Sequence, residues 1–290
     1  LFSYFLYFKS MLLSGKIVAE KIFQATEKTI REHGLIPGLG VILVGDDAPS
    51  HLYVGIKERR AEELGILFEK KVFGADVSEE VLIGTIEGLN QRADIHGIIV
   101  QLPLPEGLDT DRIIASIEPN KDTDGFHPET IKKFLAGDQE RLPVFPRAML
   151  ELVNSAPKKG RTRGVAIVNS HLMGEVLEKA LTNSGLEARY TLKEGRDLPL
   201  EVIQDADVIL IATGDAHSLT AFDAKNGAVM IDGGISYDNK GDVIGDITRD
   251  DGVYREDVSV TPVPGGVGPV TVAVLLARVT EAALRKKESR

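Results

Sequence analysis

Gly40-Val41-Ile42-Leu43-Val44-Gly45-Asp46-Asp47-Ala48-Pro49-Ser50-His51-Leu52-Tyr53-Val54-Gly55-Ile56-Lys57 passes from an unbroken apolar run into a helical pattern. An apolar, β-branched run this short reads as a strand buried on both faces, which is the habit of parallel sheets. Ser50 is a candidate N-cap for a helix reaching about residue 64, with Gly65 just past its end. The same alternation continues outward. Residues 70–73 read as a second strand, 78–92 as a helix and 97–100 as a third strand, after which Pro103 and Pro105 stop any continuation. Upstream, 14–33 is a clean amphipathic helical segment. A second series follows the charged, Gly-containing stretch 157–164: strand 165–168, helix 174–184, then strands 188–192, 207–212 and 228–231. Strands alternating with helices predict an α/β architecture built on parallel sheets, and exclude a sandwich or a helix bundle. The expected domains are 11–149 and 150–267, with the apolar helix over 268–286 returning to the first.

Composition agrees with two folded domains. Of 290 residues, 43% are hydrophobic and 27% charged, which excludes a disordered chain. Lys+Arg 34 against Asp+Glu 44 leaves a net charge of −10, the wrong sign for a nucleic-acid binder. With Cys 0 there is no disulfide framework and no cysteine metal site, so a reducing, cytoplasmic setting is expected. The aromatic start, with Phe2, Tyr4, Phe5, Tyr7 and Phe8, is interrupted by Lys9 and is too short to span a bilayer. Residues 1–10 are expected to lie outside the fold as an upstream extension ahead of Met11; a membrane-surface anchor is the alternative. No membrane partner is expected.

Several groups of residues carry chemistry. Tyr53 and Lys57 are four apart and so project from one helix face, setting an aromatic ring beside an amine. In a cleft this offers a stacking surface and a proton-transferring group whose pKa falls on burial; on a surface it is a solvated lysine over a half-buried tyrosine. Gln101 ends the third strand at the carboxyl edge, where parallel sheets present their ligands. In Asn120-Lys121-Asp122-Thr123-Asp124-Gly125-Phe126-His127-Pro128 the carboxylates suit donor groups of a ligand, or turn caps, and a turn suffices for Asp122. No carboxylate follows at the position a calcium loop requires, and no metal is expected. Thr261-Pro262-Val263-Pro264-Gly265-Gly266-Val267-Gly268-Pro269, directly before a helix, has a backbone that can approach a ligand closely.

Taken in order, Val44-Gly45-Asp46 leading to Tyr53-x-x-x-Lys57, Gln101-Leu102-Pro103-Leu104-Pro105, Lys121-Asp122-x-Asp124-Gly125-Phe126, Pro143-x-x-Pro146-Arg147 and Thr261 to Pro269 resemble the bifunctional methylenetetrahydrofolate dehydrogenase/methenyltetrahydrofolate cyclohydrolase family. The resemblance covers residues 11–285. It implies an N-terminal α/β catalytic domain and a Rossmann-like parallel-sheet domain, a homodimer, a tetrahydrofolate derivative bound between the domains, and NADP or NAD as cofactor. It implies that Lys57 is the acid/base of hydrolysis, that Gln101 sets its protonation, that Tyr53 stacks on the folate and that Asp124 grips the pterin. It adds substrate contacts at Pro264, Gly265 and Gly266, and cofactor contacts at Asn169, Ser170, Gly174 and Ile235.

One segment departs from the family pattern. Where the family's turn reads Gly-Arg-Ser-x-x-Val-Gly-Arg-Pro, this chain has Val168-Asn169-Ser170-His171-Leu172-Met173-Gly174-Glu175-Val176. Glu175 stands where an arginine is usual and would oppose a diphosphate, and Tyr190-Thr191-Leu192-Lys193-Glu194 replaces the usual His-Ser-x-Thr. No 2′-phosphate site is legible; Glu194 lies about where an acidic side chain binds ribose hydroxyls in NAD enzymes, or is a solvated loop residue. Three readings follow: a bifunctional enzyme with a modified cofactor turn, a cyclohydrolase without the redox half, and a non-catalytic folate-binding homologue. Intact Lys57 speaks against the last.

Overall fold

A computed structural model describes residues 12–157, 160–193, 198, 200–248 and 257–289. The chain divides into two compact units, Ala19–Phe145 with Thr271–Arg290, and Leu1–Val18 with Pro146–Val270. The division between Phe145 and Pro146 falls in the first turn of the helix Val144–Ser155, which buries Ala148, Met149 and Leu152.

The first unit holds most of α1 (Gly15–His33), then β1 (Gly38–Val44), α2 (Ala48–Glu63), β2 (Leu67–Phe73), α3 (Glu79–Gln91), β3 (Gly97–Val100), α4 (Thr110–Ala115) and α5 (Pro128–Leu135). Its sheet is parallel with order β2-β1-β3. β1 is buried at every position, while every residue of β2, at the edge, is partly exposed. Ile42, Val44, Leu82, Ile86, Ile98 and Ile113 form the core against α3 and α4. Asp47, not Ser50, caps α2, its carboxylate accepting from the Ser50 N–H at 2.9 Å. Pro49 is tolerated there because the first-turn N–H groups have no helical partner.

The second unit follows α6 (Val144–Ser155) with β4 (Arg163–Val168), α7 (His171–Asn183), β5 (Glu187–Leu192), α8 (Leu200–Asp205), β6 (Val208–Ala212), β7 (Val229–Asp232), the small hairpin β8 (Ser236–Tyr237) and β9 (Val243–Ile244), and β10 (Ser259–Val260). Its parallel sheet runs β10-β7-β6-β4-β5, so the strand order reverses between β4 and β6. That reversal is a topological switch point, where open α/β sheets bind ligands. α7 begins at His171 with Ser170 as N-cap, one turn earlier than the glycine at 174 suggested.

α9 (Val267–Glu288) closes the chain. By length and composition it would suffice to cross a bilayer, but 61% of its apolar window is buried in the protein, as in a core helix. From Thr271 onward it belongs to the three-stranded unit, where Lys286 donates to the Ala93 carbonyl and Lys287 to that of His33.

Candidate functional site

Parallel β1 and β3 end side by side, and the ladder continues one residue further, the Gln101 N–H donating to the Ile42 carbonyl at 2.8 Å. This fixes the Gln101 backbone. Its side-chain Nε2 donates to the Leu102 carbonyl at 2.7 Å, which orients the amide and leaves Oε1 facing α2. There it accepts from Lys57 Nζ at 2.9 Å. Tyr53 lies one helical turn before Lys57 and is half-buried. Burial of the Lys57 ammonium lowers its pKa below the ordinary lysine value, and the Asp124 charge opposes that shift.

The loop carrying Asp124 shows how two neighbours place a third. Lys121 is buried and donates to the carbonyls of Leu89, Asn90 and Arg92, capping the C-terminus of α3, where a cation is favoured by the helix dipole. Asp122 accepts from the N–H groups of Gly125 at 2.9 Å and His127 at 3.0 Å, closing the turn. Gly125 has φ +89°, and a Cβ there would stand 2.7 Å from the Pro143 Cα. His127 is the buried N-cap of α5, its Nδ1 accepting from the Glu129 N–H. Asp124 is the acid of this loop whose carboxylate closes no turn and whose charge acts on Lys57. Burial raises its pKa and Lys57 lowers it, with Asp122 raising and Arg278 lowering it further. Lys57, Gln101 and Asp124 thus converge, and an amine of weakened basicity stands with an oriented amide and a carboxyl group at a sheet edge.

Pro264, Gly265 and Gly266 belong to the five-stranded unit. The glycines here let the chain approach itself closely. The Gly15 N–H donates to the Gly265 carbonyl at 2.9 Å, a Cβ on Gly15 would lie 1.7 Å from the Gly266 oxygen, and one on Gly266 would lie 2.4 Å from the Pro262 oxygen. The first turn of α1 is seated on this loop.

At the carboxyl edge of the second sheet, Asn169 Nδ2 donates to the Thr213 carbonyl at 3.0 Å, tying the β4–α7 turn to the end of β6. Ser170 makes no side-chain capping bond, so the first-turn N–H groups of α7 remain available to an anionic acceptor. Gly174 is buried, and a Cβ there would stand 2.2 Å from the Tyr190 ring on β5. Close helix–strand packing is the task of the last glycine in dinucleotide turns, and it survives here. Glu175 is exposed, and Ile235 is 45% exposed beyond β7. Glu194 lies outside the described residues.

Models of two domains match the chain: tetrahydrofolate dehydrogenase/cyclohydrolase, catalytic domain, over residues 13–124, and the NAD(P)-binding domain of the same family over 143–287. The chain belongs to the tetrahydrofolate dehydrogenase/cyclohydrolase family. It is 38% identical over 283 residues to the bifunctional protein FolD of Lysinibacillus sphaericus, covering 96% of this chain and 98% of the relative. The corresponding protein of Streptococcus mutans is 39% identical over 281 residues, at 94% and 98% coverage. Among solved structures, the bifunctional FolD enzyme of Campylobacter jejuni superposes with TM-score 0.86 at 31% identity, covering 95% of this chain and 99% of that one. The Trypanosoma brucei enzyme, solved with NADP and an inhibitor, gives TM-score 0.84 at 27% identity, covering 97% and 99%.

Within this family frame, two side-chain pairs of the second unit were given no role from the sequence, although Asp232 lies in the motif Ile231-Asp232-Gly233-Gly234-Ile235. Lys193, after β5, has a side chain only 5% exposed and is ion-paired with Asp215, which follows β6. Asp232 and Asp246 are both buried at the ends of β7 and β9. Nothing local marks the first pair, whose partners lie on different loops; an aspartate ending the strand before Gly233-Gly234 was a signal for the second. The role of Gly174 is testable. Gly174→Ala forces the Tyr190 ring away from α7 and is expected to destabilise the NAD(P)-binding domain by about 2 kcal/mol, read as a lower melting midpoint, with weaker dinucleotide binding by calorimetry. An unchanged midpoint and affinity would show that α7 and β5 are not held at this separation.

Proposed function

We propose that this chain oxidises 5,10-methylenetetrahydrofolate with a nicotinamide dinucleotide and hydrolyses the resulting methenyl cation to 10-formyltetrahydrofolate. The observation that carries the reading is the Lys57–Gln101 bond at 2.9 Å with Asp124 coupled to the same amine. The dinucleotide, when bound, supplies the hydride acceptor. Asn169, Ser170 and the first-turn N–H groups of α7 are the groups that would hold it, and the missing side chain at Gly174 keeps α7 close to the sheet.

Hydrolysis needs a positioned water and a proton carrier of suitable pKa. The methenyl carbon is already electrophilic. Water forms a C–O bond there, and Lys57 in its neutral form takes a proton from that water. As the bond from the carbon to N5 breaks, Lys57 returns a proton to N5, and the second water proton leaves to solvent. Gln101 Oε1 holds the amine in place in both protonation states, because a lysine nitrogen retains donors in each. Tyr53 offers its ring to the flat pterin, and Asp124 accepts from the pterin's amino edge. Following reduction of the nicotinamide with methylenetetrahydrofolate, and separately the loss of methenyl absorbance, tests both halves. Hydrolysis without reduction would identify the cyclohydrolase alone, and neither activity a folate-binding homologue.

The cofactor proposed is NAD or NADP without strong preference. Lys193 is the first residue after β5, where ribose is read, but Asp215 already neutralises it, and Glu175 adds negative charge at α7. Asp215→Asn is expected to release Lys193 and to tighten NADP relative to NAD by about tenfold in calorimetric titrations. No change in that ratio would remove Lys193 from the ribose end of the site. A homodimer and a cytoplasmic location complete the proposal; sedimentation and cell fractionation test them.

A further inference from the structure

The ends of β6, β7 and β10 are linked by a buried chain of polar groups that the hydrolytic chemistry does not use. Asp246, 0% exposed, accepts through Oδ2 from the Thr213 N–H at 2.6 Å, the Thr213 hydroxyl at 2.9 Å and the Gly214 N–H at 3.3 Å. Asp232, 2% exposed, accepts through Oδ1 from the N–H groups of Gly234 and Asp246, and through Oδ2 from that of Ile247 at 2.9 Å. Its own N–H donates to the Thr261 hydroxyl at 2.8 Å. The space is made by two absent side chains: a Cβ on Gly234 would lie 2.1 Å from Asp246 Oδ1, and one on Gly245 would lie 2.1 Å from Asp232 Oδ2.

Among the described residues, all the donors holding these carboxylates are neutral N–H and O–H groups, and Asp246 Oδ1 is buried with no hydrogen-bond partner. Neutral donors spread a charge but do not cancel it. Burial pushes Asp232 up to about 6, with three N–H groups and the Asp246 charge acting in opposite directions, so at physiological pH the site carries negative charge in a medium of low dielectric. Its place in the sheet gives this charge a consequence. A dinucleotide laid across the switch point has its adenosine ribose at the end of the strand after the glycine turn, here β5, which leaves the nicotinamide half toward β6 and β7. Oxidised nicotinamide is a cation and loses its charge on accepting hydride.

We propose that Asp246 and Asp232 are positioning residues that bias the bound dinucleotide toward its oxidised, cationic form, by holding the loops after β6 and β7 and placing fixed negative charge beneath them. The inference rests on the dinucleotide-binding reading above. It differs from a structural role in its signature, because a loosened loop weakens both redox forms alike, whereas removing a charge weakens the cation selectively.

The test is calorimetric titration of the full chain with oxidised and with reduced dinucleotide, at about pH 8 so that Asp232 is ionised. Asp246→Asn and Asp232→Asn are each expected to lower the affinity for the oxidised form by about three- to tenfold more than that for the reduced form. Asp246→Glu, which keeps the charge and disturbs the geometry, is expected to hold the wild-type ratio whatever happens to the absolute affinities. Two Asn variants guard against one that fails to fold, checked by circular dichroism. If oxidised and reduced affinities fall in step, or stay unchanged, in the folded Asn variants, the proposal is overturned. A wild-type chain that binds neither form overturns the dinucleotide-binding reading itself, and the proposal with it.

Discussion

Lys57→Ala abolishes methenyl hydrolysis, with a loss of about a hundred- to ten-thousand-fold expected for removing a positioned proton carrier, while the folate still binds. The separation of effects follows from the geometry. Lys57 is held by Gln101 rather than by a scaffold contact, and its removal leaves the Gln101 amide anchored by its own bonds to Ile42 and Leu102. Lys57→Arg does not rescue, because a guanidinium stays protonated and cannot accept the water proton. The pH dependence has a worked sign. Only the neutral amine is a base, so the rate climbs with pH and levels off above the Lys57 pKa. Burial sets that limb below the ordinary lysine value of 10.5, and the Asp124 anion holds it back toward that value. Asp124→Asn is therefore expected to move the limb to still lower pH. Hydrolysis at the wild-type rate in Lys57→Ala would remove Lys57 from the mechanism, and a limb that stayed in place in Asp124→Asn would show the two groups to be uncoupled.

Gly15→Ala is expected to be the most damaging single-methyl change in the described chain outside the catalytic groups. The added carbon would sit 1.7 Å from the Gly266 carbonyl oxygen, 2.6 Å from its carbon and 2.9 Å from the Gly265 oxygen. These are backbone atoms of a turn closed on itself: Gly265 is at φ +104°, and Gly266 lies against the Pro262 carbonyl. A side chain can swing away, but this loop cannot move without unseating α1 and breaking the Gly15–Gly265 hydrogen bond. The expected cost is about 3 kcal/mol, or roughly 10 °C in the melting midpoint of the five-stranded unit. Differential scanning calorimetry would read it, and a wild-type midpoint would mean that α1 starts elsewhere. Gly34→Ala is the control for loss of a glycine alone: φ is +54° there, yet no atom lies within 4 Å of the new carbon, so only backbone strain is felt.

The pattern of short apolar runs and helical segments was enough to read every strand of the two parallel sheets except the two-residue β10, together with α1, α2, α3, α7 and α9, because strand and helix periodicities are local. β1, buried at all seven positions, announces itself as a parallel strand without its neighbours. The short helices α4, α5, α6 and α8 were not read, since each is too brief or too closely joined to a turn for its period to show. In the candidate site, Tyr53 and Lys57 were legible as one face of a helix and Gln101 as a strand end. What the linear chain left equal, the fold made different. Lys57 and Lys121 are both lysines beside aspartates in sequence or space, but Lys121 spends its three donors on the carbonyls at the end of α3, while Lys57 donates to one amide oxygen and is acted on by the Asp124 charge. Asp122 and Asp124 are two residues apart, and N–H groups of the turn take up the first alone.

The glycines show the same limit. Gly15, Gly174, Gly234 and Gly245 look like ordinary glycines in the sequence, and each proves to be the space required by an atom distant along the chain. Chain order by itself determined the architecture and the family, because hydrophobic period and motif spacing are written along the chain. Which lysine loses its water, which acid stays unbonded to the turn and which glycine must lack a methyl were decided only by tertiary structure. Desolvation and steric exclusion depend on atoms brought together from far apart, and no stretch of sequence holds both partners.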